Sequence, residues 1–164
     1  MELGEIKRRG EVMIECRPLS ICSWSFKLSG ENFSAETDID WIGESGEIVV
    51  NGRVLTVTKT GIFSPEWTLA ENGVTVATAT KNSMFTRSFK IGSNDQSFDL
   101  EALSPFARSM SLVGAGISMN IEPVHPFTRR ATISGTSNND AVVAFAFWLT
   151  LLIWRRQSNA ASSS

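Results

Sequence analysis

The run Ala141–Trp154, Ala-Val-Val-Ala-Phe-Ala-Phe-Trp-Leu-Thr-Leu-Leu-Ile-Trp, constrains the fold of this chain more than any other stretch. Thr150 alone interrupts its apolar character, and Arg155-Arg156 closes it. A helix built from these residues has no face to turn to water, so it must lie in a protein core or in a bilayer. Fourteen residues span about 21 Å as a helix, short of the ~30 Å hydrocarbon layer, which favours a core. Trp148, Trp154 and the paired arginines resemble an interfacial girdle, so a C-terminal tail anchor is the alternative. Asn138-Asn139-Asp140 supplies N-cap candidates, and the spacing predicts a helix over about 138–156.

The residues before this run have a different period. Turn signals recur every eight to twelve residues, among them Asn51-Gly52, Asn72-Gly73, Ser93-Asn94-Asp95 and Gly114-Ala115-Gly116. Between them lie short β-rich segments: Val12–Cys16, Trp24–Leu28, Glu47–Val50, Val54–Lys59, Glu66–Leu69, Val74–Thr80, Phe85–Ile91, Ser97–Leu100, Arg108–Val113, Ile117–Ile121 and Arg129–Ile133. In Phe85–Ile91 the large apolar groups fall at every second position, the period of a pleated strand. Asn-Gly tolerates positive φ at both turn positions and predicts tight hairpins. No repeat of 20–50 residues stands out. The expected fold is mainly β (α+β): a closed antiparallel barrel of about 12 strands around a buried C-terminal helix, occupying 11–156. Residues 1–10 are expected to be flexible and 157–164 to be a disordered polar tail.

Charge and cysteines narrow the function. At 164 residues, with 42% apolar and 20% charged residues, the chain suits one globular domain. The net charge of −2 argues against a nucleic-acid partner. Residues 1–52 carry ten acidic and five basic side chains, whereas 53–164 carry seven and ten, so the basic half can attract an anionic partner. Cys16 and Cys22 have neither zinc-site nor redox-motif spacing; both sit in or beside apolar strand-like stretches and read as free, small buried hydrophobes. The charged start of the chain is no secretory signal, so a cytoplasmic location is expected, with a membrane location the alternative if the run is an anchor.

Several segments resemble a known family. Val54-Leu-Thr-Val-Thr-Lys59, Trp67-Thr-Leu-Ala-Glu-Asn-Gly73, Val76-Ala-Thr-Ala-Thr-Lys81 and Phe85-Thr-Arg-Ser-Phe-Lys-Ile91 look like successive hairpins of the tubby C-terminal-like superfamily, which includes tubby-like proteins, phospholipid scramblases and LURP-one-related proteins. The resemblance covers roughly 11–156, and the ending resembles small uncharacterised bacterial members. It implies a barrel threaded by its C-terminal helix. It also implies anionic headgroups as ligands of surface cations, here Lys81, Lys90, Arg129 and Arg130. The scramblases' cysteine-rich segment and acidic calcium loop have no counterpart here.

Catalytic chemistry finds little support. His125 is the sole histidine, flanked by prolines, and no nucleophile elbow or phosphate-binding loop is present. Asp38 and Asp40 share a strand face but read as an exposed acidic edge rather than a metal site. Arg87 shares parity with Phe85, Phe89 and Ile91, so it is expected to point inward and pair with Asp99 or Glu101 as a structural ion pair. No cofactor or metal is expected. The expected function is that of a non-catalytic binding or scaffold module that contacts anionic lipid or a protein partner. The alternative is a tail-anchored membrane protein with a cytosolic β-domain.

Overall fold

The computed structural model describes residues 10–81, 86–126 and 128–163; Phe85 and the 1–9 segment, which figure in the expectations above, lie outside them. Twelve strands form: β1 (Glu11–Pro18), β2 (Phe26–Gly30), β3 (Phe33–Ile39), β4 (Gly46–Val50), β5 (Arg53–Thr60), β6 (Glu66–Glu71), β7 (Val74–Lys81), β8 (Ser88–Ser93), β9 (Gln96–Ala102), β10 (Met110–Gly114), β11 (Ile117–Pro123) and β12 (Ala131–Thr136). Each pairs antiparallel with its sequence neighbours, and β1 closes the barrel on β12, from Glu11 opposite Thr136 to Cys16 opposite Ala131. Closure removes the sheet edges that would otherwise invite aggregation.

Alternation sorts every strand into an inner and an outer face. Phe26 and Leu28, Ile48 and Val50, Trp67 and Leu69, and Phe98 and Leu100 point inward and are fully buried. Helix α1 (Asp140–Ser162) runs through the enclosed space, and each residue from Ala141 to Trp154 is buried. The apolar run is therefore core, and among the described residues no helix is long and apolar enough to cross a membrane. Three polar groups of the helix are satisfied within the barrel. Trp148 Nε1 donates to the Asp38 carbonyl at 2.8 Å, Trp154 Nε1 to the Arg108 carbonyl at 3.0 Å, and Thr150 Oγ1 to the Ala146 carbonyl at 2.8 Å.

Three expectations are corrected. First, β3 was not among the anticipated strands: its inward residues are Phe33, Ala35, Thr37 and Ile39, and the small and polar pair weakens the apolar alternation while leaving room for the helix. Second, α1 continues to Ser162, so the stretch expected to be a disordered tail is helical through its first six residues; Gln157, Ala160 and Ala161 favour this continuation. Third, there is a repeat. Two-residue turns at 31–32, 51–52, 72–73, 94–95 and 115–116 recur every 20 to 22 residues, so the barrel is six successive hairpins of nearly equal length. Asn51, Gly52, Asn72, Gly73, Asn94 and Asp95 all have positive φ, as turns matched to the strand twist require.

The up-and-down topology places all five tight turns at the end where the helix enters. There Asn139 caps it by accepting from the Val142 amide at 3.2 Å, and Asn51 Nδ2 donates to Asp140 at 2.7 Å. The longer connections 19–25, 40–45, 61–65 and 103–109, with the described parts of those between β7 and β8 and between β11 and β12, lie at the other end, where the helix leaves beside Asp40 and Gly43.

Candidate functional site

The long-loop end gathers features that elsewhere are scattered. The loops share one plan in sequence, a small or polar residue, two mostly apolar residues and another small or polar one: Ser20-Ile-Cys-Ser23, Asp40-Trp-Ile-Gly43, Gly61-Ile-Phe-Ser64, Ser83-Met-Phe-Thr86, Ser104-Pro-Phe-Ala107 and His125-Pro-Phe-Thr128. In the described loops the central residues stand out in solvent. Ile21, Trp41, Ile42, Ile62, Phe63 and Phe106 are 85% to 96% exposed. Scattered exposed apolar residues are ordinary, but six at one end of a closed barrel form a collective feature.

These tips are held in place. A backbone bond spans the base of four loops, from the amides of Leu19, Asp40, Leu103 and Val124 to the carbonyls of Ser25, Ser45, Ser109 and Arg130. Arginines then grip the loop carbonyls. Arg129 donates to Ser20 and Ser23, Arg155 to Asp40 and Gly43 (2.8 and 2.5 Å), and Arg87 to Ser104 and Ala107 (2.6 and 2.7 Å). In each case one guanidinium bridges the carbonyls that flank the two central residues, a use of its fork that lysine cannot copy. Arg108 makes a longer, 3.4 Å bond to the Pro126 carbonyl and lies 4.6 Å over the Trp154 ring.

Arg87, Arg108 and Arg129 occupy equivalent positions in successive hairpins, and each reaches the next loop round the barrel. Arg155, from the helix, serves the β3–β4 loop. Carbonyl clasps satisfy the guanidinium donors without neutralising their charge. Among the described residues, with the terminal residue of each strand included, the loop end thus carries Lys81, Arg87, Arg108, Arg129, Arg130, Arg155 and Arg156 against Asp40, Glu44 and Glu66. By the same rule the hairpin end carries, among the described residues, Glu11, Glu31, Glu71, Asp95 and Asp140 against Arg53.

Glu44 joins the helix end to the wall, with Oε2 2.6 Å from Lys59 Nζ and Oε1 2.5 Å from Arg156. Burial alone would raise its carboxyl; hydrogen bonds and charge from Lys59 and Arg156 outweigh that and hold it below its ordinary value. Burial lowers Lys81, reinforced by Arg156; its ammonium lies 5.9 Å over the Phe89 ring. A cleft of ≈ 780 Å³ opens beside these groups, lined by Trp24, Asp38, Asp40, Trp41, Arg155 and Arg156 among others.

Of the cations anticipated as anionic contacts, Lys81, Arg129 and Arg130 come to this end, while Lys90 lies on the outer wall with its ammonium 3.9 Å from Asp99. The expected Arg87 pair is corrected: its guanidinium is taken by loop carbonyls, and Asp99 and Glu101 are exposed on the outer face of β9. Asp38 is exposed at the end of β3 and accepts from Ser25 Oγ. His125 is exposed in the β11–β12 loop. Among the described residues no group of three or more His, Cys, Asp or Glu is placed to hold a metal ion. Sequence reasoning missed Arg108 and the six tips, and saw Arg155-Arg156 only as the close of the apolar run; the signal for the tips was the recurrence of paired apolar residues between small or polar ones every 20 to 22 positions.

Comparison of the chain with protein-family models, with curated proteins and with solved structures gave no match.

Proposed function

We propose that this chain is a non-catalytic docking module whose long-loop end binds an anionic partner surface. The observation that carries the reading is the separation of charge along the barrel axis: among the described residues, seven cations against three carboxylates at the loop end, and one cation against five carboxylates where the helix enters. A chain of net charge −2 is repelled as a whole by an anionic surface, yet a molecule polarised in this way approaches one loop end first. The resemblance of several segments to the tubby C-terminal-like superfamily agrees with an anionic ligand. Cys16 is buried and Cys22, expected to be buried too, is exposed; both are free, and two unpaired thiols support a reducing, cytoplasmic setting.

Retention on phosphocellulose tests the reading, because the matrix displays fixed phosphates and no lipid. The full chain should be retained at low ionic strength and released as salt screens the interaction. The variant Arg130→Glu, which alters an exposed cation outside the clasps, should elute at lower salt. Passage of the native chain straight through the column at low salt would refute the proposal.

A further inference from the structure

We infer that the anionic partner is a lipid bilayer, entered end-on by the apolar tips of the long loops. This rests on the docking reading above and adds the identity of the surface and the mode of contact.

The first support is the placement of the tips. Ile21, Trp41, Ile42, Ile62, Phe63 and Phe106 come from four loops at one end of a closed barrel. They are carried in ones and twos on separate loops, each loop bracketing them with small or polar residues such as Ser20, Asp40, Gly43, Gly61 and Ser64. A folded protein partner would need a matching pocket for each point. A fluid lipid interface accommodates separate apolar points without any such match.

The second support is rigidity. The arginine clasps and base hydrogen bonds fix three of these loops, so side chains that could fold back over the barrel mouth are held outward. Keeping Trp and Phe in water is unfavourable, by roughly the transfer free energy recovered when they are buried. A bilayer recovers it.

The third support is composition. Trp, Phe and Ile at the tips, with guanidinium groups one layer behind, is the distribution suited to a headgroup boundary, where apolar parts sink about 5–10 Å and cations meet anionic lipid. A second copy of this chain fits poorly, because end-to-end packing would bring the two sets of six arginines together. The outer wall excludes a sideways approach and a spanning barrel alike. Lys27, Glu36, Glu47, Lys90 and Asp99 lie exposed along the strands, where a membrane-embedded barrel carries an apolar band.

Binding of the full chain to vesicles of phosphatidylcholine, with and without phosphatidylglycerol, tests the inference. Trp41 is exposed, Trp24 half-buried, and Trp67, Trp148 and Trp154 buried, so a change in tryptophan emission on binding reports chiefly on Trp41. The expected result is co-sedimentation with the anionic vesicles, a blue shift, and quenching by lipids brominated on their acyl chains; the shift should vanish in Trp41→Phe. Burying one Ile and one Phe is worth enough that Ile62→Asp with Phe63→Asp should weaken vesicle partitioning about a hundredfold or more. Phosphocellulose retention should decline only by the added negative charges. Phe106→Asp, in a different loop, should act in the same direction. All three positions are exposed, and an unchanged urea midpoint verifies the fold.

Retention on phosphocellulose with no vesicle binding would overturn the bilayer inference and leave the docking reading standing. So would vesicle binding with no Trp41 shift and no response to the tip substitutions. Self-association that the tip variants disperse, without vesicle binding, would make a second copy the partner and overturn it as well. Failure on phosphocellulose would instead remove the docking reading itself.

Discussion

Gly46 offers the sharpest test of how the helix is registered inside the barrel. It lies at the start of β4 with its inward side facing Trp148, and a Cβ added there would lie 2.0 Å from the Asp38 carbonyl oxygen and 2.9 Å from Trp148 Nε1. That same oxygen accepts the indole N–H at 2.8 Å. One methyl group therefore meets both partners of the bond that locks helix to wall. An ordinary contact needs at least 3.4 Å, so β3 must retreat by more than an ångström from the strand it pairs with, or the indole must leave. Overpacking of this kind costs about 1–3 kcal/mol, and a buried hydrogen bond lost with its acceptor left unpaired adds roughly 1–3 kcal/mol. Gly46→Ala should therefore destabilise the protein by about 3 kcal/mol or more. The assay is urea unfolding followed by tryptophan fluorescence, with the slope verified so that a midpoint shift reports stability. Trp148→Phe removes the donor, so in a double-mutant cycle the two changes together should cost less than the sum of the single changes. A Gly46→Ala protein within about 0.5 kcal/mol of the parent, on the scale of an ordinary surface substitution, would refute the registration of helix against β3 and β4.

Thr37 is 1% exposed on the inner face of β3, and its hydroxyl finds no hydrogen-bond partner. Thr37→Val keeps the shape and removes the unpaired group, so it should raise stability by about 1 kcal/mol; destabilisation on urea unfolding would show that the hydroxyl has a partner in solution. Glu44 has its folded-state pKa depressed, so its contribution to stability is present above its unfolded value near 4.5 and is lost as pH falls through the folded value. Urea midpoints from pH 6 down to about pH 3 should fall more steeply in the native protein than in Glu44→Gln, and parallel curves would mean the Lys59 and Arg156 contacts are not maintained. Arg129→Gln cannot bridge the Ser20 and Ser23 carbonyls, and should cost about 1–2 kcal/mol while accelerating hydrogen exchange at the Leu19 amide that closes this loop; unchanged exchange would mean the clasp does not order the loop.

The barrel and its central helix were legible because each rests on a strong local pattern. Asn51-Gly52 and Asn72-Gly73 specify turns that only a hairpin accommodates, and a run with no polar face can only be enclosed. The twelfth strand was hidden because Ala35 and Thr37 face a helix that approaches too closely for larger side chains. The six-hairpin repeat escaped for a related reason. It preserves spacing and polarity while residue identity drifts, so the position after each apolar pair and its following residue holds Trp24, Glu44, Pro65, Arg87, Arg108 or Arg129. The clasps were illegible because they are non-local: Arg129 grips a carbonyl 106 residues away, across the seam where the barrel closes. The paired arginines after the apolar run were visible, but whether they face lipid or loop depends on where the helix ends inside the barrel.

The topology itself explains why charge and apolar tips segregate. An up-and-down barrel of paired strands alternates its connections between two ends, so whichever end receives the tight turns is filled with Asn, Asp and Gly, and has little room to display anything else. Insertions and bulky side chains are left to the opposite end. The helix must enter at one and leave at the other. Its N-terminus, with capping Asn139 and with Asp140 in the first turn, favours the turn-rich end, and its carbonyl end favours Arg155 and Arg156 among the long loops. Those two arginines need partners there. Loop carbonyls serve Arg155 without cancelling its charge, and the same solution recurs at Arg87 and Arg129. Local rules of turn geometry and helix polarity thus yield a molecule with one acidic, closely turned end and one cationic end bearing apolar tips. Such a molecule has a preferred direction of approach to an anionic surface even though its net charge is negative.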